Sequence, residues 1–183
     1  MNIKRAIAKL KSPRALSILA HPDPRLTQKS AEIDLECEEE LAELDQLIAN
    51  LIATMRKEKG AGLAAIQVGI PKRVFVYDAG DKEGGEVALI NPRIVSFSDE
   101  LDEDEEGCLS FPALYAQVKR SKSVVVEGYN QNREKVSIEA EGFLARVFQH
   151  EIDHLNGITF IEQLSEDDKK LALREYFDLR TSF

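Results

Sequence analysis

The chain has 183 residues, of which 43% are hydrophobic and 31% are charged, and its formal net charge is −9. This length supports one domain with its own hydrophobic core. No stretch approaches the ~20 apolar residues of a membrane span, and the negative charge gives no bulk attraction to nucleic acid. We therefore expect no membrane partner and no direct, sequence-specific binding of nucleic acid.

The N-terminus is basic, because Asp23 is the first acidic residue. Five basic residues precede it, namely Lys4, Arg5, Lys9, Lys11 and Arg14. A basic, acid-free start is typical of either a transit peptide or a short solvated extension, and the small number of serines favours the extension. We predict a basic extension over residues 1–15 and a single domain over residues 16–183. With only two cysteines and no apolar signal core, we expect a cytoplasmic location, while organellar targeting by residues 1–15 stays open.

The first predicted elements are a turn and a helix. Pro22 and Pro24 restrict residues 21–24 to turn or extended backbone. Apolar residues then recur at alternating steps of three and four, which predicts a helix over residues 38–59 that ends at Gly60. These apolar positions are Leu41, Leu44, Ile48, Leu51 and Met55.

Strands follow the helix. The pattern predicts strands over residues 73–77, 87–90, 93–97, 123–126 and 136–138, with another around Val118, and their hairpin spacing indicates antiparallel pairing. The run from Asp99 to Glu106 has seven acidic residues in eight, which predicts a solvated loop without function. Two more helices are predicted over residues 142–155 and 165–179. Helix, strands and helices in this order predict the α+β class, with an N-terminal and a C-terminal helix.

The helix over residues 142–155 contains His-Glu-x-x-His. Residues four apart share a helix face, so His150 and His154 can bind one ion. Glu151 can reach a reacting water beside that ion, which is the place of a general base. The chain has three histidines and two of them stand here, which favours a metal site over a chance match.

The third ligand decides the class of site, because a catalytic ion with tetrahedral geometry takes three protein ligands and keeps one position open. A metzincin would have a third histidine where this chain has Phe160. A gluzincin-like peptidase would take a glutamate from the next helix, and Glu162, Glu166 and Glu175 follow the motif in this chain. Cys108 follows the acidic run in an apolar-leaning segment and is the better candidate. A buried structural thiol is the alternative for Cys108 and our interpretation of Cys37.

A non-enzymatic protein with a structural zinc site is the other alternative. A closed site needs a fourth ligand, and the spare soft candidates are His21 and Cys37, neither of which stands in a ligand-like motif.

A segment rich in small residues, Gly-Ala-Gly-Leu-Ala-Ala-Ile-Gln, occupies residues 60–67. Its glycines and alanines let a ligand or another chain approach the backbone closely. Gln67 ends it with a carboxamide that can donate hydrogen bonds. The segment lacks the Lys-Ser/Thr of a phosphate-binding loop.

Three segments together resemble the signature motifs of the peptide deformylase family. In order they are Gly60-x-Gly-Leu-Ala-Ala-x-Gln67, Glu106-Gly-Cys-Leu-Ser110 and His150-Glu-x-Asp-His154-Leu. The segment Pro22-Asp-Pro-x-Leu26 also resembles the start of that family's core, and the resemblance covers about residues 18–165.

The resemblance implies antiparallel sheets packed around the motif helix and a metal-dependent hydrolase. Its substrate would be the N-terminal N-formylmethionine of newly made polypeptides, met near the ribosomal exit tunnel. Cys108, His150 and His154 would bind one divalent ion, most commonly Fe²⁺, with Zn²⁺, Ni²⁺ or Co²⁺ as substitutes. Glu151 would be the general base, and the Gln67 side chain and the Leu109 backbone N–H would stabilise the oxyanion.

The resemblance also implies a peptide-binding surface. Helical spacing places Phe143 and Val147 near the face of His150, either lining a methionine pocket or packing in the core. The full set of implied substrate-binding residues is Ala61, Gly62, Gly107, Tyr115, Phe143, Arg146 and Val147. The chain departs from the family after Ser110, since Phe111-Pro-Ala113 stands where a small aliphatic residue, proline and glycine are frequent.

Overall fold

The computed structural model of the protein describes residues 11–80 and 85–181 and has the predicted α+β architecture. The helices are α1 (Glu38–Glu58), α2 (Phe143–Leu155) and α3 (Glu166–Thr181). The strands are β1 (Gly62–Ala64), β2 (Val74–Asp78), β3 (Glu86–Phe97), β4 (Leu101–Cys108), β5 (Phe111–Ser121), β6 (Ser123–Tyr129) and β7 (Lys135–Glu141). Short 3-10 turns occupy Pro24–Thr27, Ala65–Val68 and Phe160–Gln163.

A five-stranded sheet forms the centre of the fold. Its order is β1-β2-β3-β6-β7, and every neighbouring pair is antiparallel. Side chains alternate between the two faces of a strand, so Phe75 of β2 packs with Phe148 of α2, whereas Val74 and Val76 pack with Leu51 of α1. The sheet is therefore buried between α1 and α2, and the motif helix α2 lies in the core.

The hairpin of β4 and β5 forms a separate two-stranded sheet. Its apolar side chains join a third cluster with α3 and with the turn at Phe160–Gln163. The members of that cluster include Phe111, Leu114, Val118, Phe160 and Tyr176. Cys108 is a member of this cluster, so the cluster packs directly against the site of the predicted third ligand.

Most predicted elements are confirmed, with local corrections. Helix α1 ends at Glu58, and Lys59 adopts the left-handed conformation that caps it, where we predicted the stop at Gly60. The predicted strands at 87–90 and 93–97 are one strand, β3. A shift in its register to β6 lies between Ile90 and Arg93, and Asn91 has a φ of +49°.

The prediction of a solvated loop over the acidic run was wrong, because most of the run forms β4, paired with β5. Basic partners on β5, such as Lys119 opposite Glu103, offset part of its charge.

The described part of the N-terminal segment lies along α1. The backbone N–H groups of Lys11, Arg14 and Leu16 donate to side chains of that helix, over distances of 2.7, 3.0 and 2.9 Å. The rest of the predicted extension, residues 1–10, lies outside the described residues. None of the helices in the described ranges combines the length and apolarity that a bilayer span requires.

Ala113 has a φ of +64°, a region in which a Cβ is unfavourable by about 1–2 kcal/mol. We expect Ala113→Gly to raise the free energy of unfolding by about 1 kcal/mol, because glycine adopts this conformation without strain. Urea denaturation measures the change. Ala116→Gly, in the same strand without a positive φ, should lower stability. Equal destabilisation by both substitutions would contradict the strain at Ala113.

Candidate metal centre

Three side chains of the predicted ligand types converge between β4 and α2. Cys108 ends β4, and His150 and His154 lie one turn apart on α2. One ligand atom from each lies within 4.8 Å of the other two, and Cys108 Sγ is 3.2 Å from His154 Nε2. This spread is close to what bonds of about 2.0–2.3 Å to a single ion allow.

The alternative third ligands lie elsewhere. Phe160 is buried in the third apolar cluster, and Glu175 is exposed on α3. His21 stacks on Phe111, and Cys37 is the N-cap residue of α1. Within residues 11–80 and 85–181, the only group of three or more His, Cys, Asp or Glu side chains placed to hold an ion is Cys108, His150 and His154. Three ligands without a fourth match a catalytic site with an open position.

Glu106 orients the first histidine, a role that no local sequence pattern indicates. Its Oε2 lies 3.0 Å from His150 Nδ1, which leaves His150 Nε2 to face the ligand cluster. Arg120 and Arg146 both donate to Glu106 Oε1, each over 2.9 Å. Burial alone would raise the pKa of Glu106, but the hydrogen bonds from His150 and Arg120 outweigh it and lower the pKa to about 2. Glu106 is therefore a buried, fully ionised carboxylate.

Arg146, which the resemblance implied as a substrate-binding residue, lies beneath the pocket and is 5% exposed. Besides Glu106 it donates to the backbone oxygens of Val118 and Asp102, at 2.8 and 3.0 Å. Arg120 similarly reaches Asp153 of α2, with 2.5 Å between Nη1 and Oδ2. The two arginines thus join the ligand helix to β4 and β5.

The electrostatics of the cluster fit a bound cation. Burial alone would lower the pKa of His150. Hydrogen bonds with Cys108 and Glu106 outweigh this effect and raise the pKa well above its ordinary value. The site therefore favours positive charge between a thiol and a carboxylate. Burial lowers the pKa of His154 well below its ordinary value, so this imidazole is neutral, the state in which histidine binds metal. A divalent ion at this position would supply the positive charge beside His150 and would bind the neutral imidazole of His154.

Glu151 points into the same site. It is 4% exposed, and its Oε2 has no hydrogen-bond partner. Burial raises its pKa from 4.5 to about 7, and a hydrogen bond with the Ala64 backbone offsets the effect of burial only in part. A Cβ on Gly62 would lie 2.5 Å from Glu151 Oε1, so only glycine at this position leaves room for the carboxylate. A buried carboxyl group with a free oxygen and a pKa near neutrality suits proton transfer.

Gln67 lies next to Cys108 and is 1% exposed. Its Oε1 accepts from the Ala64 N–H at 2.8 Å, which fixes the orientation of the amide. Its Nε2 faces Cys108 Sγ at 3.6 Å and Ser110 Oγ at 3.4 Å. These contacts are long, so the Nε2 donor stays available to a stronger acceptor in the site.

A cavity of about 450 Å³ opens from this cluster to the surface. All the implied substrate-binding residues line it, together with Gln67, Cys108, Leu109, His150 and Glu151. Val147 is 8% exposed and contributes to the core cluster, whereas Phe143 and Tyr115 are 69% and 61% exposed. The Tyr115 ring covers Gly107, where a Cβ would lie 2.6 Å from Cε1. The cavity therefore has room for a ligand directly beside the cluster.

Comparisons with known proteins point to one family. The family model described as polypeptide deformylase matches residues 15–170. The peptide deformylase of Desulforudis audaxviator is 43% identical over 146 residues, which are 80% of this chain and 91% of that protein. The crystal structure of the peptide deformylase from Ehrlichia chaffeensis has a TM-score of 0.79 at 34% identity, over 92% of this chain and 98% of that chain. The Met-Ala-Ser-bound class I type b peptide deformylase from Acinetobacter baumannii has a TM-score of 0.74 at 34% identity, over 82% of this chain and 98% of that chain.

Proposed function

The chain belongs to the polypeptide deformylase family, and on that premise we propose that it hydrolyses the formamide of N-formylmethionine at the start of newly made polypeptides. The observation that carries this proposal is the convergence of Cys108, His150 and His154 with the buried carboxyl group of Glu151, whose Oε2 is unpaired. The cavity of about 450 Å³ supplies room for a peptide beside them.

Cys108, His150 and His154 would hold one divalent ion. When bound there, the ion supplies a Lewis acid that polarises the formyl carbonyl and lowers the pKa of the attacking water from 15.7 to roughly 7. The thiolate and imidazole ligands accept several borderline first-row ions, including Zn²⁺, Ni²⁺ and Co²⁺. The choice of Fe²⁺ as the native ion rests on the family resemblance.

The remaining steps belong to the chain's own groups. Glu151 takes a proton from the attacking water and delivers it to the leaving amine, so that the amide C–N bond breaks as formate is released. Negative charge develops on the formyl oxygen. Gln67 Nε2 and the Leu109 backbone N–H donate to that oxygen, as the donors of an oxyanion hole do.

The peptide would lie along the cavity. The formyl group is small, so a tight site admits it and disfavours larger acyl groups. Val147 faces the methionine side chain, and the exposed rings of Tyr115 and Phe143 flank the following residues. Ala61, Gly62 and Gly107 let the peptide backbone approach closely. Arg146 acts on this surface indirectly, through Glu106 and Asp102.

The direct test is a deformylation assay on formyl-Met-Ala-Ser, with metal analysis of the same anaerobic preparation. We expect stoichiometric metal and release of formate, and at least about tenfold slower hydrolysis of acetyl-Met-Ala-Ser, because one extra methyl group must fit the acyl site. A metal-loaded protein that releases no formate would refute the proposed function.

Gln67→Leu should lower kcat by about 10²–10³-fold, the usual cost of losing one oxyanion donor. Its metal content should not change, because Gln67 is not a proposed ligand. Gln67→Glu keeps the oxygen that accepts from the Ala64 N–H and replaces the donor with a carboxylate oxygen that repels the developing oxyanion. It should lose at least as much activity as Gln67→Leu, as measured by initial rates at saturating substrate. Normal kcat in Gln67→Glu would remove the amide from the mechanism.

We further propose that residues 16–183 form the single catalytic domain and residues 1–15 a basic extension. The enzyme would work in the cytoplasm, on nascent chains that leave the ribosomal exit tunnel. The family match begins at residue 15, which supports this boundary.

A further inference from the structure

The C-terminal helix α3 packs on the hairpin that carries Cys108. Tyr176 and Ala172 of α3 are 0% and 7% exposed, and they share an apolar cluster with Phe111 and Val118 of β5. The Tyr176 and Phe111 rings are 5.3 Å apart. A two-stranded hairpin is marginally stable by itself, so the β4–β5 sheet depends on elements that cover its apolar face.

His21 connects α3 to the same hairpin by a second route. Its backbone N–H donates to the Ser110 carbonyl at 2.9 Å, and its ring stacks on Phe111 with a centroid distance of 4.6 Å. The His21 carbonyl accepts from Tyr176 Oη at 3.0 Å and from Arg180 Nη1 at 2.8 Å. Tyr176 and Arg180 of α3 therefore bind His21, which itself binds the turn between β4 and β5.

These contacts end at the proposed metal ligands. Phe111 pairs with Cys108 across the turn between the strands. The Phe111 ring also meets Phe160 edge-on at 5.4 Å, and Phe160 stacks on His150 at 6.1 Å. The Phe111 ring is thus the side chain through which the turn contacts both α3 and Phe160.

We propose that Tyr176 and Arg180 are positioning residues, and that α3 fixes the Cys108 turn in its ligand geometry through His21 and Phe111. The inference rests on the proposed metal site. Without these contacts the turn opens locally, while the core between α1, α2 and the five-stranded sheet stays intact. Opening would expose the Cys108 thiol in the metal-free protein and would speed metal release from the loaded protein.

The test uses full-length, metal-free protein and iodoacetamide, with alkylation of each cysteine followed by mass spectrometry. The double variant Tyr176→Phe/Arg180→Ala removes both donors to the His21 carbonyl but keeps the buried ring. We expect Cys108 to react about tenfold faster, because a buried thiol is alkylated through local opening. The rate at Cys37, on the distant N-terminus of α1, should not change.

Arg174→Ala is the matched control, since Arg174 is an exposed arginine of α3 without a hydrogen bond to His21 among the described residues. Tyr176→Leu, which also removes the ring, should react faster still at Cys108, and amide hydrogen exchange at Ser110 and Phe111 should rise in parallel. In the metal-loaded double variant, release of the ion to a chelator should be about tenfold faster, since this too follows local opening.

A double variant with a lower melting temperature and an unchanged Cys108 rate would overturn the inference, since α3 would then be only structural. Equal acceleration in Arg174→Ala would do the same. Thiol labelling needs no substrate, so its outcome is independent of the deformylation assay. A failed assay with accelerated labelling would refute the proposed function and leave the coupling between α3 and Cys108 standing.

Discussion

Cys108→Ala should bind no stoichiometric metal and should release no measurable formate. Cys108 is the one ligand that β4 contributes, whereas His150 and His154 both come from α2. Without Cys108 only the two imidazoles remain, and a tetrahedral catalytic site needs three protein ligands. Removal of a residue that only hydrogen-bonds to a ligand lowers metal affinity about 10–100-fold, and the loss of the ligand itself should be larger. Elemental analysis after anaerobic desalting measures the metal, and formate release measures the activity.

Two control variants make this result specific. Cys37→Ala removes the other cysteine of the chain, which lies at the N-terminus of α1. Glu175→Ala removes a glutamate that a gluzincin-like peptidase could use as its third ligand, an exposed residue of α3. Both variants should keep metal and activity. Stoichiometric metal in Cys108→Ala, or its loss in Glu175→Ala, would contradict the assignment of the third ligand.

The sequence predicted well where one periodic pattern determines one element. The alternating three- and four-residue steps of α1 predicted both the helix and its buried face, since Leu44, Leu51 and Met55 all lie in the core. The spacing of His150 and His154 predicted a shared face on α2 in the same way. Both patterns are local, so they do not depend on contacts with distant parts of the chain.

The acidic run shows where local patterns fail. Its composition indicates a solvated loop, yet pairing with β5 makes it a strand, and only then does alternation turn Glu106 and Cys108 inward. The buried role of Glu106 depends on Arg120 and Arg146, which lie 14 and 40 residues further along the chain. Charge composition cannot identify such partners. The run itself has no alternation of polar and apolar residues, so it carries no sequence signal of a strand.

The choice of the third ligand also depended on distant contacts. From the residues alone, Cys108 competed with several glutamates after α2. The structure removes Glu175 from the site because α3 packs on β5 through Tyr176, which leaves Glu175 exposed. The contact in turn joins Tyr176 to Phe111, two side chains that are 65 residues apart in the chain.

Glu151→Gln should keep a full complement of metal and lose about 10²–10⁴-fold in kcat, the contribution typical of a general base. The substitution conserves the shape of the side chain, which matters because Glu151 packs directly against Gly62. It removes the group that takes and delivers the proton. Metal content should stay unchanged because the ligand atoms belong to Cys108, His150 and His154.

The environment of Glu151 explains why this loss should be large. Burial raises its pKa to about 7, so near neutral pH the carboxyl group can both accept a proton and return it. Its Oε2 has no hydrogen-bond partner that would compete for that proton. Glu175→Gln, an exposed position on α3, is the matched control and should retain normal kcat. Near-normal kcat in metal-loaded Glu151→Gln would show that another group moves the proton. A loss of metal in the same variant would instead make Glu151 a fourth ligand and the site a closed structural one.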